Sequence, residues 1–76
     1  MTEAEWLDLF GSNLVFYLNQ SDMTQRDLAL RTGLSEAAIS NYINKLRFPT
    51  TKAVINIANA LGIGVDELID FGGAIE

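Results

Sequence analysis

The stretch from Thr24 to Asn44, TQRDLALRTGLSEAAISNYIN, restricts the fold more than any other part of the chain. It reads as two short helices joined by a tight turn. Thr24 can cap the first helix, and Asp27 three residues on completes a capping box, in which cap and side chain exchange hydrogen bonds. Apolar residues recur at Leu28, Ala29, Leu34, Ile39 and Tyr42, and Gly33 separates the two periodic runs. A glycine just past a helix end suits a backbone position with positive φ, where a side chain is penalised. Ser35 is the natural cap of the second helix, and Leu34 and Ile39 on either side of it can close as a hydrophobic staple. Ala29 is small where the two helices must cross closely.

The flanking segments read as helices too. Thr2 with Glu5 forms another capping box and Met1 with Trp6 another possible staple, so a first helix begins near Glu3 and runs to about Gln20. Gly11 inside it costs about 1 kcal/mol relative to alanine and is a possible break. Leu7, Phe10, Leu14, Tyr17 and Leu18 form one core-facing stripe, whereas Trp6, Leu9, Val15 and Phe16 fall partly outside it. That second apolar face is covered either by the C-terminal tail or by self-association. Met23 can staple onto Leu28. Lys45 to Pro49 is a loop, because proline disfavours helix at Phe48. Thr50 caps a fourth helix carrying Val54, Ile57, Ala58 and Leu61, and Gly62 ends it. Gly64 opens a short fifth helix in which Ile63 can staple onto Leu68, with Phe71 closing the core. The expectation is an all-α, compact five-helix bundle in one domain, with helices at about 3–20, 25–32, 36–45, 51–61 and 65–70 and a frayed tail over 72–76.

Charge separates along the chain. The net charge is −5, yet all five basic residues (Arg26, Arg31, Lys45, Arg47 and Lys52) lie in a central window that holds only two acids, Asp27 and Glu36. A positive centre between acidic ends is compatible with docking one face on phosphate. The alternative is a solvated acidic surface whose cations pair with neighbours. With no cysteine or histidine, disulfides, thiolate metal sites and the usual catalytic bases and nucleophiles are excluded. Asp66, Glu67 and Asp70 can attract calcium, or simply stabilise a helix start. No run approaches the roughly 20 apolar residues of a membrane span and no basic-then-apolar leader opens the chain, so a soluble, cytoplasmic protein is expected. No cofactor or small-molecule ligand is evident.

The joint spacing of Gln25, Leu28-Ala29, Gly33-Leu34, Ile39-Ser40 and Tyr42 resembles the helix-turn-helix of the Cro and phage-repressor type, the lambda-repressor-like (xenobiotic-response-element) group of DNA-binding domains. The resemblance covers about Phe10 to Phe71. It implies that the second helix of the motif lies in the major groove with its N-terminal residues against base edges. By that resemblance Glu36, Ala37 and Asn41 meet bases, with Ser40 nearby. Asn41 can pair bidentately with adenine, Ala37 offers a methyl to thymine, and Glu36 can accept from cytosine. Against these stand plain surface polarity for Asn41 and helix-dipole stabilisation for Glu36.

The resemblance also places Gln25, Ser35, Asn44, Lys45 and Arg47 on phosphates: Gln25 at a helix N-terminus, the last three in a basic loop. Ser35 is first a cap and Gln25 is otherwise an exposed glutamine. The chain departs from the family at three places. Thr32 is more polar than usual, Ile43 replaces a charged residue and suggests burial, and Lys45 stands where the family commonly has glycine, which puts the end of the reading helix in question. The implied function is a sequence-specific double-stranded-DNA-binding transcriptional regulator, most often a bacterial or phage repressor. It acts as a homodimer, through helix 1 or the C-terminal segment, and either stands alone or forms the DNA-binding half of something longer. The rival is a protein-interaction module on the same scaffold.

Overall fold

The computed structural model describes residues 1–70 and 72. Residues 73–76 of the expected tail over 72–76, and the expected closing of the core by Phe71, lie outside the described residues. Five helices follow in order: α1 (Glu3–Gln20), α2 (Gln25–Thr32), α3 (Glu36–Ile43), α4 (Thr51–Leu61) and α5 (Val65–Leu68). Among the described residues there is no strand, and no helix is long and apolar enough to cross a membrane.

Each start is fixed locally. Thr2 and Glu5, and Thr24 and Asp27, form complete capping boxes, so two otherwise orphan N–H groups are satisfied at each start. Ser35 and Thr50 cap α3 and α4 by accepting from Ala38 and Ala53 N–H, each at 3.0 Å. At α5 the side chain of Glu67 reaches back to the Gly64 N–H. Glu67 therefore works as a cap within the acidic cluster, while Asp70 accepts from the Gly72 N–H.

Apolar faces then close on one core. Phe10, Leu14, Leu28, Ile39, Ile57 and Leu68 are its largest fully buried side chains, drawn from all five helices. Helix α1 packs on α3 and α5, α2 on α3 and α4, and α4 on α5. Leu7 and Tyr17, placed in the core stripe of α1 by periodicity, are only half-buried. Trp6 stacks on Phe10 (centroids 5.2 Å, 14° between planes) and also meets Phe48, tilted by 32°, at 5.2 Å. The loop after α3 is thereby pinned to α1. Val15 and Phe16 remain 38% and 54% exposed, whereas Trp6 and Leu9 pack half-buried against the core, so part of the second apolar face of α1 is open among the described residues. Met1, at 54% exposure, shares a shallow groove with Trp6 and Phe48 rather than closing a buried staple.

α1 spans the expected 3–20 without a break, and two helix ends are corrected. Gly11 does not break α1: the helix runs through it, and the residue is buried against the end of α3. A β-carbon there would stand 3.0 Å from the Tyr42 carbonyl oxygen and 3.1 Å from that of Ile43. The reading helix ends at Ile43, two residues short of the expected 45, because Lys45 turns to φ 65°. The Leu46 and Lys45 N–H groups then fold back on the Asn41 and Tyr42 carbonyls (2.9 and 3.2 Å), a Schellman closure with lysine in glycine's usual place. Helix α5 ends at Leu68 rather than 70, where the side-chain amide of Asn13 on α1 donates to the Leu68 and Asp70 carbonyls at 3.0 and 2.9 Å.

Candidate nucleic-acid interface

The elbow between α2 and α3 fixes how the second helix is presented. Gly33 adopts φ 75° and its N–H donates to the Ala29 carbonyl, closing α2. Thr32, unusually polar for its place, braces the turn from inside. Its hydroxyl donates to the Leu28 carbonyl at 2.8 Å and accepts from the Leu34 N–H at 3.2 Å. The chain then reverses into the Ser35 cap. Ala29 is buried beneath the crossing, consistent with the small side chain needed where the helices meet.

On α3, Ile39 and Tyr42 are buried and Ala38 and Ile43 half-buried. Ile43 therefore sits at the edge of the core, only partly as its apolar character suggests. The opposite face is a low ridge: Glu36, Ala37 and Asn44 are exposed, and Ser40 and Asn41 half-buried. Among the described residues, no hydrogen bond engages the side chains of Glu36, Asn41, Gln25 or Arg47. Their polar groups are open to solvent or a ligand. Asn44 donates to the Ser40 hydroxyl at 3.1 Å, which couples a residue expected on phosphate to one expected near bases.

Flanking the ridge are the start of α2 and the loop after α3. Gln25 is exposed as the first residue of α2, where leading N–H groups have no intrahelical acceptor and favour an anion. Close by, the Asp27 carboxyl is held below its ordinary value of 3.8. The Thr24 backbone N–H does most of this, helped by the Thr24 hydroxyl and, more weakly, by Arg31 and Arg26. Asp27 thus remains charged and bound into its own helix start. The Ser35 hydroxyl is occupied as a cap acceptor. Arg47 is exposed in the loop, and Lys45 is exposed but engaged, its Nζ lying 2.6 Å from Asp8 Oδ1 on α1.

The helix-turn-helix family matches this chain over residues 16–68, from the second half of α1 to the end of α5. The chain belongs to the Cro/phage-repressor-type helix-turn-helix family. Helix-turn-helix regulators of this kind bind DNA. The domain is also 33% identical over 61 residues to an uncharacterized HTH-type transcriptional regulator of Bacillus subtilis (strain 168), YqaE. That match covers 80% of this chain and 53% of the relative, so the chain spans about half the length of that protein. No solved structure gives a significant match.

Two contacts of this helix-turn-helix domain carry no sequence signal that pattern reading detects. Asp8 and Lys45 are 37 residues apart and on no shared periodicity. Asn13, one of several polar residues along α1, gives no hint that it holds the end of α5. Gly11 did give a signal. A glycine inside a strong helical pattern marks either a break or a close approach, and here it marks the approach.

Proposed function

We propose that this chain is a sequence-specific, double-stranded-DNA-binding transcriptional regulator, of the repressor kind, that lays α3 in the major groove and blocks an operator. The observation that carries the reading is the turn of α3: Ile39 and Tyr42 go into the core while Glu36, Ala37 and Asn41 form the outer ridge. Small and hydrogen-bonding groups on that ridge match what base edges require. Gln25, Ser35, Asn44, Lys45 and Arg47 flank it as backbone contacts that position the helix without reading sequence. Family membership and the regulator YqaE support the same reading.

Few cations are available, so two copies acting together are part of the proposal. Two copies double the phosphate contacts and read half-sites about 34 Å apart, one helical turn. With about six phosphates neutralised by the pair, log K falls with log salt at a slope of roughly −5. A gel-shift titration on random duplex at two salt concentrations tests the reading. Salt-sensitive binding supports it.

A protein-interaction module is the second reading, favoured by the open apolar surface of Phe16 and by the groove lined by Trp6, Phe48, Val54 and Ile69. Absence of duplex binding even at low salt would move the assignment to that module.

A further inference from the structure

Lys45 is held by three features that converge from distant parts of the sequence. Its backbone is in the left-handed region at φ 65°, ending α3. Its side-chain stem runs across α1 where Gly11 has no side chain, so that a β-carbon at Gly11 would stand 2.9 Å from Lys45 Cγ. Its ammonium meets Asp8 Oδ1 at 2.6 Å. Among the described residues this is the one ion pair within 4.0 Å, so the other four cations have no such partner. The cation singled out is the first one after the reading helix.

A carboxylate and a phosphodiester oxygen are the same kind of partner for an ammonium, each forming a short charge-assisted hydrogen bond. An anion already in contact reduces the attraction for a second. The side chains of Lys45 and Asp8 are 40% and 62% exposed, so the pair is open to water and exchangeable. Exposed pairs of this sort are weak, as a competitor that must yield to DNA has to be.

We propose that Asp8 competes with DNA phosphate for the Lys45 ammonium and so lowers the affinity of the domain for the DNA backbone. The inference rests on the DNA-binding reading. It adds a residue of α1, outside the helix-turn-helix, to those that set affinity. Asp8 acts on all sequences alike, since phosphate contacts carry no base information. Its effect is to restrain non-specific binding.

A double-mutant cycle tests it: wild type, D8N, K45Q and D8N/K45Q, titrated with random duplex at one low, fixed salt concentration. Melting curves confirm that each variant is folded, and Asp8→Ser replaces D8N should that protein fail to fold. With Lys45 present, removing the carboxylate tightens binding by roughly two- to fivefold, the coupling of an exposed ion pair. In the K45Q background the gain shrinks towards the long-range effect of one charge. An equal gain in both backgrounds overturns the proposal, leaving only general electrostatics. Weaker binding by D8N also overturns it, since Asp8 would then be positioning Lys45 for phosphate. If wild type binds no duplex at all, the DNA-binding reading itself falls, an outcome distinct from failure of the cycle.

Discussion

Replacing Gly11 with alanine tests how closely α1 approaches the end of the reading helix. In an open helical position the exchange stabilises by about 0.5–1 kcal/mol, because glycine loses more backbone freedom on folding. Gly11 is buried, and the added methyl meets the Tyr42 and Ile43 carbonyl oxygens at 3.0 and 3.1 Å and Lys45 Cγ at 2.9 Å. The lysine stem can swing aside, but the carbonyls are backbone and yield only if the end of α3 moves. Overpacking of this kind costs about 1–3 kcal/mol, which outweighs the propensity gain. We expect a net loss of about 1 kcal/mol and a Tm lowered by about 4–8 °C for a domain of this size. Thermal unfolding followed by circular dichroism reads it out, with Ser12→Ala as the control for propensity at an exposed neighbouring position. Ser12→Ala should raise Tm slightly. A Gly11→Ala protein more stable than wild type would refute the close crossing of α1 and α3.

Asn41→Ala should cost about 1–3 kcal/mol on a selected site and nothing on random duplex, whereas Arg47→Ala should weaken both alike and reduce the salt slope by about 1 per protomer; equal losses for Asn41→Ala on both would remove it from base reading. Lys45→Gly should relieve the left-handed backbone, whose cost to an L-residue is roughly 1–2 kcal/mol, and so raise Tm while weakening DNA binding. A Tm that falls instead would mean that the Asp8 contact outweighs the strain. The Glu5 and Asp27 carboxyls are held below their ordinary values of 4.5 and 3.8, first by the backbone N–H groups of Thr2 and Thr24 and then by those threonine hydroxyls. A depressed carboxyl contributes stability that is complete above the unfolded value and lost as pH falls through the folded one. Tm should therefore drop below about pH 4.5, and Glu5→Gln with Asp27→Asn should flatten that limb; parallel curves would show that the boxes do not titrate with folding.

Much of the architecture was legible because its signals are local. Thr2, Thr24, Ser35 and Thr50 each announce a helix start through their side-chain acceptor, and the structure uses all four. Leu28, Ile39 and Ile57 were legible as core from their places in the helical repeats of α2, α3 and α4, because burial follows that repeat. Helix ends were less legible, since they depend on partners elsewhere. The end of α5 is set by Asn13 on α1, and that of α3 by a lysine taking a conformation that its side chain disfavours. At the interface, the outward ridge Glu36–Ala37–Asn41 follows from periodicity. The pairing of Lys45 with Asp8 does not, because only the tertiary packing around Gly11 brings those charges together.

The proposed function requires DNA to meet the outer ridge of α3. Amide chemical-shift mapping during titration with a short duplex at low salt tests it most directly. The largest changes should fall on Gln25, Glu36, Ala37, Ser40, Asn41 and the Lys45–Arg47 loop, with α5 silent. Changes centred on Trp6, Phe48 and Ile69, or none at all at saturating duplex, would contradict it.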